Sequence, residues 1–135
     1  MHHTPLISTP RPAPKIKWTA VLAGVAIAVA IGVPAVIGLA PILGSIATII
    51  GVAIGGFVAG KWANSAGGYH GALVGAGWIM FEAFGIVPSL RYSEDTLADT
   101  LIVFVVELVT LVAACVGGWL ARRGPASSSG TGRGR

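Results

Sequence analysis

Between Trp18 and Gly60 the chain carries no charged residue. A helix crosses a bilayer in about 20 residues, so this run has room for two. The natural break is "LAPILGS" (Leu39–Ser45), because Pro41 and Gly44 both disfavour a helix interior. The pattern predicts one helix over residues 18–40 and a second over 43–62. The polar stretch "KWANSAGGYH" (Lys61–His70) is the next connection, and a third helix is expected over 69–88, stopped by Pro88 before "SLRYSEDTLAD". A fourth is expected over 97–121, ending at Arg122 and Arg123. Thr96 and Asp99 stand at capping-box spacing at its start, where an acidic group also suits the helix dipole.

None of these runs alternates with period two, and a four-stranded sheet would leave open edges in lipid. The expected fold class is therefore an all-α membrane protein, a four-transmembrane-helix bundle over residues 18–121. Residues 1–17, "MHHTPLISTPRPAPKIK", are expected to be a disordered Pro-rich tail. No small-residue cleavage site followed by a soluble domain comes after them, so they do not read as a cleaved signal peptide. Residues 122–135 read as a second flexible, basic tail.

Composition agrees with the pattern. Of 135 residues 54% are hydrophobic and 10% charged, against about 25% charged in a soluble domain, and mean hydropathy is +0.82. The 20 glycines are typical of tightly packed membrane helices. The net charge of +4 does not point to nucleic acid, because the basic residues flank apolar runs and form no basic face. Cys115, the single cysteine, lies in an apolar run and reads as a small buried hydrophobe.

Charge also orients the spans. With four of them, Arg11, Lys15, Lys17, Lys61, Arg122, Arg123, Arg133 and Arg135 share one side, and Arg91 alone lies on the other, beside Glu94, Asp95 and Asp99. The positive-inside rule then puts both termini in the cytoplasm of a multi-pass protein of the cell membrane. Trp18, Trp62, Tyr69, Tyr92 and Trp119 sit near the expected helix ends, as interfacial aromatics do. His70, at the start of the third helix, reads as one more interfacial residue.

Two sequence echoes raise an internal repeat. "IGGFVAGK" (Ile54–Lys61) resembles "VGGWLARR" (Val116–Arg123), and "IGVP" (Ile31–Pro34) resembles "GIVP" (Gly85–Pro88). Two hairpins in parallel arrangement would generate both.

Candidate chemistry centres on two carboxylates inside apolar runs. Glu82 interrupts "GWIMFEAFGIVP", and Glu107 interrupts "TLIVFVVELVTLVAACVGG". At helical spacing Glu82 shares a face with Gly71, Gly75, Trp78 and Gly85. Glu107 shares one with Thr100, Thr110, Ala114 and Gly117. The second helix has a comparable face of Gly44, Thr48, Gly51, Gly55 and Ala59. Small faces let backbones approach, so Gly51, Gly55, Gly71, Gly75, Ala114 and Gly117 are the expected packing residues.

Glu82 lies roughly 9 Å of helix from Pro88, and Glu107 roughly 13 Å from Ala98. On antiparallel neighbours the two carboxyls can meet in the outer half of the membrane. An ionised acidic residue at mid-span costs about 2.5–3.5 kcal/mol, and apart from Lys61 and His70 at span ends no Lys, Arg or His lies within any span as a partner. At least one of the pair is thus expected to be neutral. Two roles fit: interhelical hydrogen bonding with Thr110 or a carbonyl, or a proton or cation site of Glu82, Glu107 and Thr110.

No Glu-x-x-His pair, Cys/His cluster, P-loop or serine nucleophile with a base is present. Neither an enzyme nor a resident cofactor or metal is expected.

The segment "GGFVAGKWANSAGGYHGALVG" (Gly55–Gly75) resembles small uncharacterised prokaryotic four-transmembrane-helix families, in which a Gly-Gly-x-x-Ala-Gly helix end and a short Gly-rich loop precede a His-Gly helix start. The resemblance covers residues 18–121 and implies a four-span fold without an activity. The size is also similar to that of small multidrug resistance transporters. Those carry their essential glutamate in helix 1, where this chain has no charge. The leading expectation is a structural or interaction protein of the membrane, in contact with the lipid bilayer, acting as a homo-oligomer or as an accessory subunit of a larger complex. The alternative is a proton- or cation-coupled transporter or channel using Glu82 and Glu107.

Overall fold

The computed structural model describes residues 15–86 and 96–123. They form four helices: α1 (Trp18–Gly38), α2 (Pro41–Ala63), α3 (Gly67–Ala83) and α4 (Leu97–Leu120). No strand occurs among the described residues. Three of the helices, α1, α2 and α4, are long and apolar enough to cross a membrane.

Local chemistry explains most boundaries, and corrects two. The break between α1 and α2 is only Leu39 and Ala40. Leu39 is extended and its N–H reaches back to the Ala35 carbonyl at 3.0 Å. Pro41 opens α2, where a missing N–H is harmless and the fixed φ suits a helix start. The second helix thus starts at Pro41 rather than at residue 43, and Gly44 in its first turn is buried against the Ala35 carbonyl.

The third helix ends at Ala83, not at residue 88. Gly85 takes φ +68°. The Gly85 N–H bonds to the Glu82 carbonyl and the Ile86 N–H to the Phe81 carbonyl, both at 2.9 Å. This is a Schellman motif, the usual way a glycine closes a helix. Pro88, expected to be the stop, lies outside the described residues, as do Tyr92 and the tails apart from residues 15–17 and 122–123. At the start of α4 the Thr96 hydroxyl accepts the Asp99 N–H at 3.3 Å and donates to its carboxylate at 2.5 Å, which realises the expected cap.

The helices pack as a bundle in which α2 and α3 each touch all three others, while α1 and α4 do not touch. Exchanging the hairpins α1–α2 and α3–α4 would map every contact onto another except α2–α3, whose equivalent α4–α1 is absent, so the packing is only in part symmetric between the hairpins. Of the "IGVP" echo, Pro34 lies within α1 without ending it.

Glycine makes the seams. On α1 and α2, a Cβ at Gly24 would sit 2.6 Å from the Gly55 carbonyl oxygen, and one at Gly55 would overlap the Gly24 carbonyl. Gly56 meets Ala114 and Gly60 meets Gly118 between α2 and α4. Gly67 meets Gly118 and Gly71 meets Ala114 between α3 and α4. Close approach of this kind replaces burial of large side chains, which lipid would not drive. The expected small face of α2 is buried in full: Gly44, Thr48, Gly51, Gly55 and Ala59.

Large apolar side chains mostly point the other way. Leu22, Ile37, Ile42, Ile50, Phe104 and Leu108 are each at least half exposed. Trp78 is the main exception, a fully buried indole whose ring tip fills the space above Gly32. An apolar exterior around a small-residue interior is the inverse of a water-soluble domain. With three helices of spanning length, it marks the chain as a helical membrane protein.

Candidate functional site

Glu82 and Glu107 project from α3 and α4. The contacts Gly67–Gly118, Gly71–Ala114 and Gly75–Leu111 fix an antiparallel register between these helices. Extended outward, that register puts Glu107 level with Trp78 and Glu82 about one turn further out. Both glutamates are half-buried. Trp78 stands one turn before Glu82 on α3, with its indole within reach of the carboxylate, and Glu107 is close enough for its charge to act on Glu82. Trp78 therefore links α3 to α1, with its ring tip against Gly32.

The remaining residues of the expected face divide. Thr110, Ala114 and Gly117 are buried, whereas Thr100 is exposed. On α3, Gly71, Gly75 and Trp78 are buried and Gly85 is exposed. Thr110 gives its hydroxyl hydrogen to the Val106 carbonyl at 2.8 Å, within its own helix, so it does not act as the interhelical donor to a glutamate. Thr48 is also buried, and its hydroxyl has no hydrogen-bond partner among the described residues. The site is thus two carboxyls and an indole N–H at the α3–α4 seam. Such a group can share or pass a proton, or hold two helices together. Among the described residues no three His, Cys, Asp or Glu side chains gather to hold a metal. Cys115 is half-buried, near Gly68.

His70 has partners that the sequence does not show. It is fully buried in the bundle. Its Nε2 accepts the Lys17 main-chain N–H at 3.1 Å, and its Nδ1 stands 3.2 Å from the Ala66 carbonyl oxygen. Nε2 accepts only when unprotonated, so the proton belongs on Nδ1 and is donated to Ala66. The ring is neutral and doubly satisfied, and it ties the start of α1 to the start of α3. Tyr69 meets it edge-on, with centroids 6.1 Å apart. The signal for this was present in the spacing of Gly67, His70, Val74 and Gly77. All four lie along one flank of α3, and Val74 and Gly77 contact α1 at Gly24 and Val25.

No protein-family model, curated protein or solved structure matches this chain.

Proposed function

We propose that the chain is a four-span protein of the cytoplasmic membrane with both termini inside, serving a structural or interaction role as a homo-oligomer or as an accessory subunit of a membrane complex. The observation that carries this reading is the uneven cover of α4. All its buried residues, Thr110, Ala114, Gly117 and Gly118, lie in its inner half. From Leu97 to Val109 no side chain is buried, yet this stretch includes Glu107. A half-buried carboxyl on an otherwise apolar, uncovered helix is poorly placed in plain lipid. A neighbouring subunit against the outer half of α4 would complete its surroundings.

The short α3 serves as the fourth span. Its 17 residues cover about 25 Å, slightly less than a typical hydrocarbon core, and the exposed apolar Phe84 and Ile86 continue beyond it. The resemblance to small prokaryotic four-span families agrees with this arrangement. Purification from native membranes in mild detergent, followed by mass measurement of the intact particle, tests the role. A particle larger than one chain supports it, and a strictly monomeric particle without companions removes it.

A second reading rests on the Glu82–Trp78–Glu107 group. Two interacting carboxyls without a basic partner could carry a proton or a monovalent cation. Proteoliposomes decide between the readings: flux that disappears in both Glu82→Gln and Glu107→Gln, with the fold intact, favours transport.

A further inference from the structure

We infer that the inner end of the bundle is a docking surface for anionic phospholipid headgroups. This inference rests on the membrane-spanning reading but not on any transport or subunit role. The starts of α1 and α3 and the ends of α2 and α4 converge there. Lys15, Lys17, Lys61, Arg122 and Arg123 are all exposed at this end. The acidic residues among the described positions, Glu82, Asp99 and Glu107, all lie toward the other end. Trp18, Trp62, Tyr69 and Trp119 are exposed in the same zone, at 60%, 62%, 46% and 45%. Aromatic rings of this kind settle at headgroup depth and hold the cations against the phosphate layer.

The two arginines are positioned by the packing. The Arg123 guanidinium carbon lies 3.5 Å from the Trp119 ring centroid. One face of the guanidinium is therefore covered, and its N–H edge is the part that suits phosphate oxygens. The Arg122 stem lies over Gly67, where a Cβ would come within 2.9 Å of its Cγ. Lys61 follows Gly60, which packs on Gly118 one turn before Arg122. Lys17 is held through its main chain by His70. Cations fixed on several helices, with no acid among them, match a layer of anionic headgroups better than a single soluble phosphate. Each Lys or Arg near an anionic surface adds roughly fivefold to the affinity.

The test uses the full chain in nonionic detergent, titrated with phosphatidylglycerol or phosphatidylcholine, with bound lipid counted by native mass spectrometry. The expected result is a preference for phosphatidylglycerol of roughly tenfold or more, largely lost in the Lys17→Gln/Lys61→Gln/Arg122→Gln/Arg123→Gln variant. Thermal unfolding in phosphatidylcholine shows whether that variant is folded, and Arg123→Gln alone, with a partial loss, serves if it is not. Equal binding of the two lipids, or a preference unchanged in the folded variants, overturns the inference. So does equal occupancy by soluble glycerol phosphate, or stronger capture of RNA or an acidic polypeptide. Flotation with phosphatidylcholine vesicles tests the membrane-spanning reading separately, since insertion there needs no anionic lipid.

Discussion

The imidazole Nε2 of His70 accepts the main-chain N–H of Lys17 at 3.1 Å, 53 residues away in sequence. The first N–H groups of a helix have no partner within it, so α3 supplies an acceptor to one of the residues that open α1. Replacing His70 with Ala removes that acceptor and leaves a void. Loss of one such hydrogen bond costs about 0.5–1.5 kcal/mol, and the void adds to it. His70→Phe, which restores bulk without an acceptor, is expected to recover only part of the loss. Thermal unfolding in detergent measures both, and trypsin cleavage after Lys17 is expected to accelerate in both. Nitrogen NMR of the imidazole is expected to show the Nδ1–H tautomer. An Nε2–H ring would mean that the latch is drawn wrongly.

The glycine seams give a graded test. Gly55→Ala forces a Cβ into the Gly24 carbonyl, and Gly117→Ala forces one into the Ala53 carbonyl. Both obstacles are backbone and cannot swing aside, so each substitution is expected to destabilise the bundle by about 1–3 kcal/mol. Gly38→Ala meets nothing within 4 Å and is expected to be neutral or slightly stabilising. Unfolding midpoints of the three variants check the ranking. Equal effects at all three sites would show that the helices do not approach along these glycines.

The inward faces were readable from the sequence because small residues recur at helical spacing with large aliphatics around them. Gly44, Thr48, Gly51, Gly55 and Ala59 show this most cleanly. Helix ends were less readable. Proline attracts the eye as a stop, yet Pro34 sits inside α1, Pro41 begins α2, and it is Gly85 that closes α3. A proline's effect depends on whether its missing N–H falls where a partner is needed, and spacing alone does not show that. The packing of His70 was hidden for a related reason. A polar residue near a helix end looks interfacial until its partner, the main chain of a residue far away in sequence, is known.

The connection from α2 to α3 carries strain that can be relieved. Ala66 has φ +43°, in the left-handed region that costs an L-residue with a Cβ roughly 1–2 kcal/mol. Ala66→Gly removes the penalty but adds chain entropy to the unfolded state. A net gain of about 1 kcal/mol is expected, read as a higher unfolding midpoint. Asn64 has φ +56°, but asparagine tolerates this region, so Asn64→Gly is expected to change little. A loss of stability in Ala66→Gly would contradict the loop conformation.

Orientation in the membrane follows from the same loops. In a Cys115→Ala background, Ser65→Cys marks the α2–α3 connection and Ala40→Cys the α1–α2 connection. With both termini cytoplasmic, a membrane-impermeant thiol reagent applied to intact cells is expected to modify Ala40→Cys and spare Ser65→Cys, and lysis is expected to expose the latter. The reverse pattern would invert the topology, and modification of both in intact cells would remove α2 as a span.

The carboxyl pair separates the two functional readings. Glu82 lies beside Trp78 and within range of the Glu107 charge, and Gln at either position keeps shape and a carbonyl acceptor but cannot exchange a proton. If the pair only holds α3 to α4, Glu82→Gln and Glu107→Gln are expected to leave stability and assembly nearly unchanged. Glu82→Leu is then expected to lose about 0.6–2 kcal/mol, the range of interhelical hydrogen bonds in membranes. If the pair carries protons or cations, either Gln variant is expected to fold normally and abolish a pH- or cation-dependent response in proteoliposomes. Two ionised carboxyls this close, on helices facing lipid and without a basic partner, would repel each other. Carbonyl-stretch infrared spectroscopy at pH 7 is therefore expected to show at least one protonated carboxyl that disappears in Glu82→Gln or Glu107→Gln. A spectrum with both groups ionised and no bound cation would remove the shared site in either role, and leave the outer half of α4 open to water.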